Sequence, residues 1–388
     1  EKNGDFAWLM HILKTLKSTG KAAVILPHGV LFRGNAEGSI RKAIVDKGWI
    51  KGIISLPSNL FYGTGIPACI LVIDKEGADN RSGIFMIDAG KGYVKDGNKN
   101  RLREQDIYRI VTTFNQQIET DPNYARFVPN KEIKEKNDYN LNISRYIDSS
   151  EPEDVQDIYA HIHGGIPEAD IDSLWRFWEV FPKLKGSLLG AFRDGYYKLI
   201  VEEDQIRPTI FSDREFIAYG VKMDEAYLRW KTYADQELKT LKPGVSGKKL
   251  IERLAQVILD EFEGLVLIDK YSVYQVLLTY WNDVLGDDVS LIISEDAGYG
   301  VARETENITK ETKKKDADGN PERKVVGWEG KLIPKDLVIS ELFPEEKRAI
   351  EELTELAAET DSRLAEMIAE SEADSILTDM SDGGRVKS

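Results

Sequence analysis

The stretch IISLPSNLFYGTGIPACILVID, Ile53 to Asp74, decides the fold. Two apolar arms flank a polar middle rich in proline and glycine, so the arms read as strands and the middle as their connection. A hairpin needs only two to five linking residues. This connection is much longer and places two adjacent aromatics, Phe61 and Tyr62, where a tight turn would serve.

Upstream, DFAWLMHILKTLKSTG puts Phe6, Leu9, Met10, Leu13 and Leu16 at helical spacing, with Asp5 as N-cap and Gly20 as the stop. KAAVILP is a short apolar run ended by Pro27, the pattern of a strand covered on both faces in a parallel sheet. AEGSIRKAIVDKG is a second helix, capped by Asn35 and stopped at Gly48. WIKGIISLP, ACILVIDK and SGIFMIDAG then follow as strands with no helix between them. This order describes the back half of a twisted α/β sheet that finishes in an antiparallel hairpin, preceding a mainly α-helical C-terminal region.

The boundary is placed near Ser150, with residues 151–303 helical. Within them, Trp175, Phe177, Trp178 and Phe181 suit a helix packed into a core better than a base-stacking platform. Residues 304–324, nearly devoid of apolar side chains, read as a charged mobile loop. Residues 325–374 form a C-terminal segment in which Ile350, Leu353, Ala357, Thr360, Leu364 and Met367 alternate spacings of three and four. That heptad seam is too short to stand alone and is expected to dock on helices of a partner or of its own body. The tail 375–388 is expected to be disordered.

The 388 residues carry a net charge of −15, unevenly spread. Residues 1–150 hold 22 Lys and Arg against 17 Asp and Glu, and the remainder 30 against 50. A mildly basic first part suits DNA, whereas the acidic remainder suits protein contacts. No apolar run reaches the roughly 18 residues of a membrane span, so a soluble, cytoplasmic chain is expected. The single cysteine, Cys69, sits among apolar neighbours and reads as a buried strand residue, not a reactive thiol. His161 and His163 lack nearby ligands to complete a metal site, so none is expected. Neither G-x-S-x-G nor G-x-x-x-x-G-K-[ST] occurs, which argues against a serine hydrolase and against ATP hydrolysis by this chain alone.

Three segments together carry a resemblance: GKAAVILPHGVLFRGNAEGSIRKAIVDKGWIKGIISLPSNLFYGTGIPACILVIDK, NDYNLNISRYID with AHIHGGIP, and LIPKDLVISELFPEEKRAIEELT. They resemble the modification subunit of type I restriction-modification systems, an N6-adenine DNA methyltransferase. The resemblance implies a Rossmann-like class I methyltransferase sheet, S-adenosylmethionine as methyl donor, and double-stranded DNA as substrate. It also implies a specificity subunit that reads the target and a restriction subunit in the larger assembly. By resemblance, the Phe61 loop flanks an adenine extruded from the duplex, with Phe61, Tyr62, Gly63 and Gly65 forming the pocket. The other reading of Phe61 is a hydrophobic plug closing the sheet. His28, Gly29 and Arg33 are secondary pocket or DNA contacts, and a surface salt bridge serves Arg33 equally well.

The family's N-P-P-[FY] tetrapeptide is absent from the sequence, Asn320-Pro321 lacks the second proline and aromatic, and the one F-x-G-x-G string, Phe61–Gly65, lies between two strands instead of opening a helix, so it is not read as the S-adenosylmethionine loop. The expectation is a C-terminal portion with half of the catalytic domain, no catalytic residue of its own and no methyltransferase activity alone. A non-catalytic assembly module that binds the specificity subunit is the competing expectation.

Overall fold

A computed structural model describes the chain except residues 1–3, 120, 151–155, 295, 297, 316–320, 371–380, 383–384 and 387–388. It divides into two compact units, residues 1–236 with 249–283 and residues 237–248 with 284–388.

The first unit opens with helix α1 (Asp5–Thr15), strand β1 (Lys21–Pro27), helix α2 (Asn35–Asp46), and strands β2 (Ile50–Ser55), β3 (Ala68–Asp74) and β4 (Gly83–Asp88). A small hairpin β5 (Val94–Asp96) and β6 (Lys99–Arg101), helix α3 (Glu104–Gln116) and strand β7 (Ala125–Pro129) complete the α/β part. The main sheet runs β1-β3-β2-β4-β7. The arms of the Ile53–Asp74 stretch pair as expected, antiparallel, with Ile53 opposite Leu71 and Ser55 opposite Cys69. β3 is therefore inserted between β1 and β2, antiparallel to both, while β2 and β4 are parallel.

Strand alternation splits the core between the two faces of the sheet. Ile53, Leu71, Ile84 and Met86 join Phe6, Leu9 and Leu13 of α1 and Ile44 and Val45 of α2 on one face. Ile54, Phe85 and Ile87 join Ile110 of α3 on the other. Cys69 is wholly buried and its thiol is pushed up to about 12 by desolvation, which keeps it from acting as a nucleophile.

Two expectations for β1 are corrected. Among the described residues it pairs only with β3, antiparallel, and only one of its faces is covered: Leu26 is buried but Ile25 is 54% exposed. A continuous apolar run does not distinguish a doubly covered strand from an edge strand, because pairing is decided by chain segments distant in sequence. Met10 of α1 likewise faces outward.

The region expected to be helical contains a three-stranded antiparallel sheet formed by Ile166–Pro167, Leu189–Arg193 and Tyr196–Leu199. Asp194-Gly195 provides the hairpin turn, with Gly195 at φ +73°. Phe181 is buried and Trp178 half-buried in this module's core, whereas Trp175 and Phe177 are exposed, contrary to expectation. Helix Lys270–Tyr280 packs on α3 through a stacked Tyr108–Tyr274 pair at 4.3 Å, so residues on both sides of Ser150 share this unit.

In the second unit, the described residues of the segment 304–324 are mostly paired strand instead of loop. Thr305–Lys315 pairs antiparallel with Pro321–Gly330. Low apolar content suggested a loop, but β-branched Thr305, Ile308, Thr309, Val325 and Val326 favour strands, and Glu311 pairs with Arg323 across the hairpin. Helix Lys335–Leu342 packs against helix Pro344–Glu370, which carries the heptad positions. The tail 375–388, expected to be disordered, lies outside the described residues apart from two short paired strands, Ser381–Asp382 and Arg385–Val386.

Candidate functional site

β1, β2 and β4 run in one direction, so Pro27, Ser55 and Asp88 end at the same sheet edge. Open α/β sheets place ligand-binding loops at this edge. The turn after β1, the long loop after β2 and the turn after β4 all emerge there.

His28 follows Pro27 and lies with Nε2 3.2 Å from Ser55 Oγ, while its main-chain N–H donates to the Pro67 carbonyl. Burial lowers its pKa below the ordinary histidine value, with the Ala68 backbone and the Asp88 charge opposing that shift. Asp88 is held in place by accepting hydrogen bonds from Ser149 Oγ at 2.7 Å and from the Gly90 amide at 3.1 Å.

The loop is built from its own turns. The Asn59 amide donates to the Gly65 carbonyl, and the Ile66 amide donates to Thr64 Oγ1. Gly63 has φ +78°, a conformation that L side chains rarely adopt. Gly65 is small for another reason: a Cβ there would sit 2.9 Å from Asn59 Oδ1. The two aromatics diverge. Phe61 is half-buried against the cluster containing Ile54, Leu56 and Ile87, whereas Tyr62 is 94% exposed.

The loop is also held from outside, by residues that the sequence reading did not single out. Lys99 of β6 donates from Nζ to the carbonyls of Phe61 at 2.8 Å and Thr64 at 3.2 Å. Buried Asn100 donates its side-chain amide to the Ser58 carbonyl at 2.7 Å and its main-chain N–H to the Asn59 carbonyl. Its Oδ1 has no partner among the described residues. Asp96-Gly97 was the signal available for this hairpin, since Asp-Gly between extended segments marks a tight turn.

Arg33 forms a salt bridge with Asp5 at 2.7 Å and approaches Glu37 at 3.5 Å. Its guanidinium lies so close over Gly29 that a Cβ at position 29 would fall 2.4 Å from Nε. Arg41, also missed, is buried and donates to the carbonyls of Val30, Arg33 and Tyr139. It ties the turn after β1 to the NDYN segment.

The cavity that opens beside Asp88 is about 190 Å³ and is lined by Arg103, Asp106, Arg109, Tyr124 and Tyr271, among others. Ligand sites for molecules the size of S-adenosylmethionine are roughly 300–1,000 Å³. Arg103 is paired with Asp106, and Arg109 with Asp121. This cavity does not fit that cofactor. The residues in the terminal helix lie in the other unit: Ile350, Leu353, Ala357, Thr360 and Met367 are exposed and Leu364 is partly so. Among the described residues no group of three or more His, Cys, Asp or Glu could hold a metal, and no helix is long and apolar enough to cross a membrane.

Residues 1–155 match the family model described as N-6 DNA Methylase. The methylase subunit of the type I restriction enzyme MpnII from Mycoplasma pneumoniae is 37% identical over 154 residues, covering 40% of this chain and 28% of that protein. The MjaVIII methylase subunit from Methanocaldococcus jannaschii is 33% identical over 170 residues, covering 42% and 29%. A solved type I methyltransferase subunit from Streptococcus thermophilus is 42% identical with a TM-score of 0.35, covering 38% of this chain and 31% of that one. The chain thus spans less than a third of the length of these relatives. Residues 1–155 are thus similar to the N-6 DNA methylase family, and the relatives they match are methylase subunits of type I restriction enzymes.

Proposed function

We propose that this chain forms part of a type I restriction-modification methyltransferase subunit that methylates adenine N6 in double-stranded DNA. S-adenosylmethionine would be the methyl donor, a specificity subunit would read the target, and a restriction subunit would join the larger assembly in the cytoplasm. One observation carries the reading: a loop with adjacent aromatics is pinned at the strand-end edge of the sheet, with Tyr62 almost wholly exposed and Phe61 half so. An antiparallel strand inserted between two parallel ones agrees with the end of a Rossmann-like methyltransferase sheet.

An adenine must leave the duplex for its amine to be reached, and an aromatic face then replaces the lost stacking. Phe61 provides that face in this proposal, braced by the core behind it. Tyr62 closes over the base, and Gly63 and Gly65 let the backbone approach its edge. His28 and Gly29 stand beside the loop, whereas Arg33, engaged by Asp5, supports the turn. S-adenosylmethionine would supply the transferable methyl group, and the small cavity beside Asp88 is not where it would bind. Without the N-P-P-[FY] acceptors nothing in the chain positions the amine for attack, so the chain alone transfers no methyl group.

The test uses duplex DNA with 2-aminopurine opposite an abasic site, which lowers the cost of extrusion. Binding of the chain should quench the fluorescence by stacking, and Phe61→Ala should lose most of the quench. Equal quenching by the wild type, Phe61→Ala and Tyr62→Ala would refute the pocket. Tritiated methyl transfer by the chain alone to unmethylated DNA, with and without the specificity subunit, should stay at background, and robust incorporation would refute the predicted inactivity.

The exposed seam of helix Pro344–Glu370 supports a second element of the proposal, docking on the helical spacer of the specificity subunit. The same seam is what a non-catalytic assembly module would present.

A further inference from the structure

The segment 91–103 carries Lys91, Lys95, Lys99, Arg101 and Arg103 against one acidic residue, Asp96, in a chain of net charge −15. It leaves the sheet at the edge that carries the Phe61 loop, because it follows directly from Asp88 at the end of β4. β5 and β6 pair as a two-stranded ribbon turned at Gly97, whose φ is +57°. Lys91, Lys95 and Arg101 are exposed. The Arg101–Asp96 ion pair is mostly solvent-exposed on both sides, so it competes weakly with a stronger anion. The same ribbon grips the loop, through Lys99 to Phe61 and Thr64 and through Asn100 to Ser58 and Asn59.

We propose that the hairpin Val94–Arg101 is a nucleic-acid backbone contact: the exposed Lys95 and Arg101 bind phosphates while Lys99 and Asn100 hold the aromatic loop in register with the bound strand. The inference rests on the DNA reading above and deepens it by assigning a phosphate contact and two positioning residues. Charge complementarity selects the occupant. Phosphates are recruited by exposed Lys and Arg with no sequence requirement, and each neutralised phosphate steepens the salt dependence of binding. A rigid connection matters because the loop's aromatic must meet a base at a fixed distance from its phosphate. Lys99 bridges two loop carbonyls and so restricts the residues 61–64 that would meet that base.

The experiment titrates the full chain with a fluorescein-labelled duplex of arbitrary sequence at several salt concentrations, beside the 2-aminopurine duplex. Lys95→Glu with Arg101→Glu should weaken binding roughly tenfold or more and make the log–log salt slope shallower by about 2, one contact for each residue. Lys99→Met should cost most of the 2-aminopurine quench with the slope nearly unchanged, because its ammonium is held by loop carbonyls and not by phosphate. Asn100→Ala should reduce the quench with the slope unchanged, which separates positioning from charge. Circular dichroism melts identify a variant that has simply lost its fold, in which case Lys95→Gln with Arg101→Gln replaces the charge reversal and carries the same expectation. If the wild type binds and the paired variants match its affinity and slope, this inference is overturned while the aromatic pocket stands. If the wild type fails to bind any duplex at about 20 mM salt, the DNA reading falls and this inference with it. Loss of specificity-subunit binding with DNA affinity intact would show an acidic protein surface as the occupant and overturn the assignment.

Discussion

Replacing Arg41 with Met should destabilise the α/β part severely, although Arg41 touches no carboxylate within hydrogen-bond distance among the contacts described. Its guanidinium donates to the carbonyls of Arg33 and Tyr139 at 2.8 Å each and of Val30 at 3.2 Å, while the residue is only 6% exposed. Burial lowers its pKa, which records the desolvation that these carbonyls offset. A hydrogen bond to a charged group contributes about 1.5–3 kcal/mol, but three bonds from one side chain are not additive. Methionine keeps the apolar stem and leaves three carbonyls without their donor. The expected loss is about 3–5 kcal/mol, a large fraction of a typical domain stability of about 5–15 kcal/mol. With a urea slope of about 2 kcal/mol per molar, the midpoint followed by circular dichroism should fall by roughly 1.5–2.5 M. Arg41→Lys should fall between, because an ammonium lacks the planar fork that reaches three acceptors. A midpoint shift under about 0.3 M for Arg41→Met would refute the claim that this side chain joins the β1 turn to the NDYN segment.

Three further outcomes are expected. Because the folded His28 pKa is lowered, the unfolded chain binds more protons just below the ordinary histidine value of about 6.5. The associated stability is present above about 6.5 and is lost as pH falls through the folded value, so His28→Asn should flatten the slope of urea midpoint against pH in that window. An unchanged slope would show that His28 is not the group responsible. Gly48→Ala should be far more damaging than Gly63→Ala, although both glycines have positive φ. A Cβ on Gly48 would lie 2.2 Å from the Ala78 carbonyl oxygen, whereas nothing lies within 4 Å of one on Gly63. Gly63→Ala should cost about 1–2 kcal/mol from backbone strain alone, and comparable melts for the two variants would contradict the packing argument. Finally, Leu353→Asp with Leu364→Asp should abolish co-purification with the specificity subunit at unchanged folding, and intact assembly would exclude that seam as the docking face.

The hairpin over Ile53–Asp74 was legible because its arms are apolar runs bounded by turn-forming residues, a pattern local to the chain. The glycines of its loop were legible too, although their reasons differ: Gly63 for its φ and Gly65 for the space beside Asn59. Asp96-Gly97 and Asp194-Gly195 were readable turn signals that length and charge concealed. The charged strands at 305–330 were hidden for a related reason, since composition was read there and cross-strand pairing was not.

Sequence alone determined the succession of helices and strands through Asp88, the burial of Cys69 and the resemblance carried by the Gly20–Lys75 segment. Those properties follow from spacing and side-chain chemistry within a few residues. Only the tertiary structure decided that β3 enters between β1 and β2, that Phe61 leans on the core while Tyr62 stands free, and that Lys99 and Asn100 reach back across some 40 residues to hold the loop. Such contacts depend on which strand ends share an edge, and no local pattern encodes a neighbour that folding brings from elsewhere in the chain.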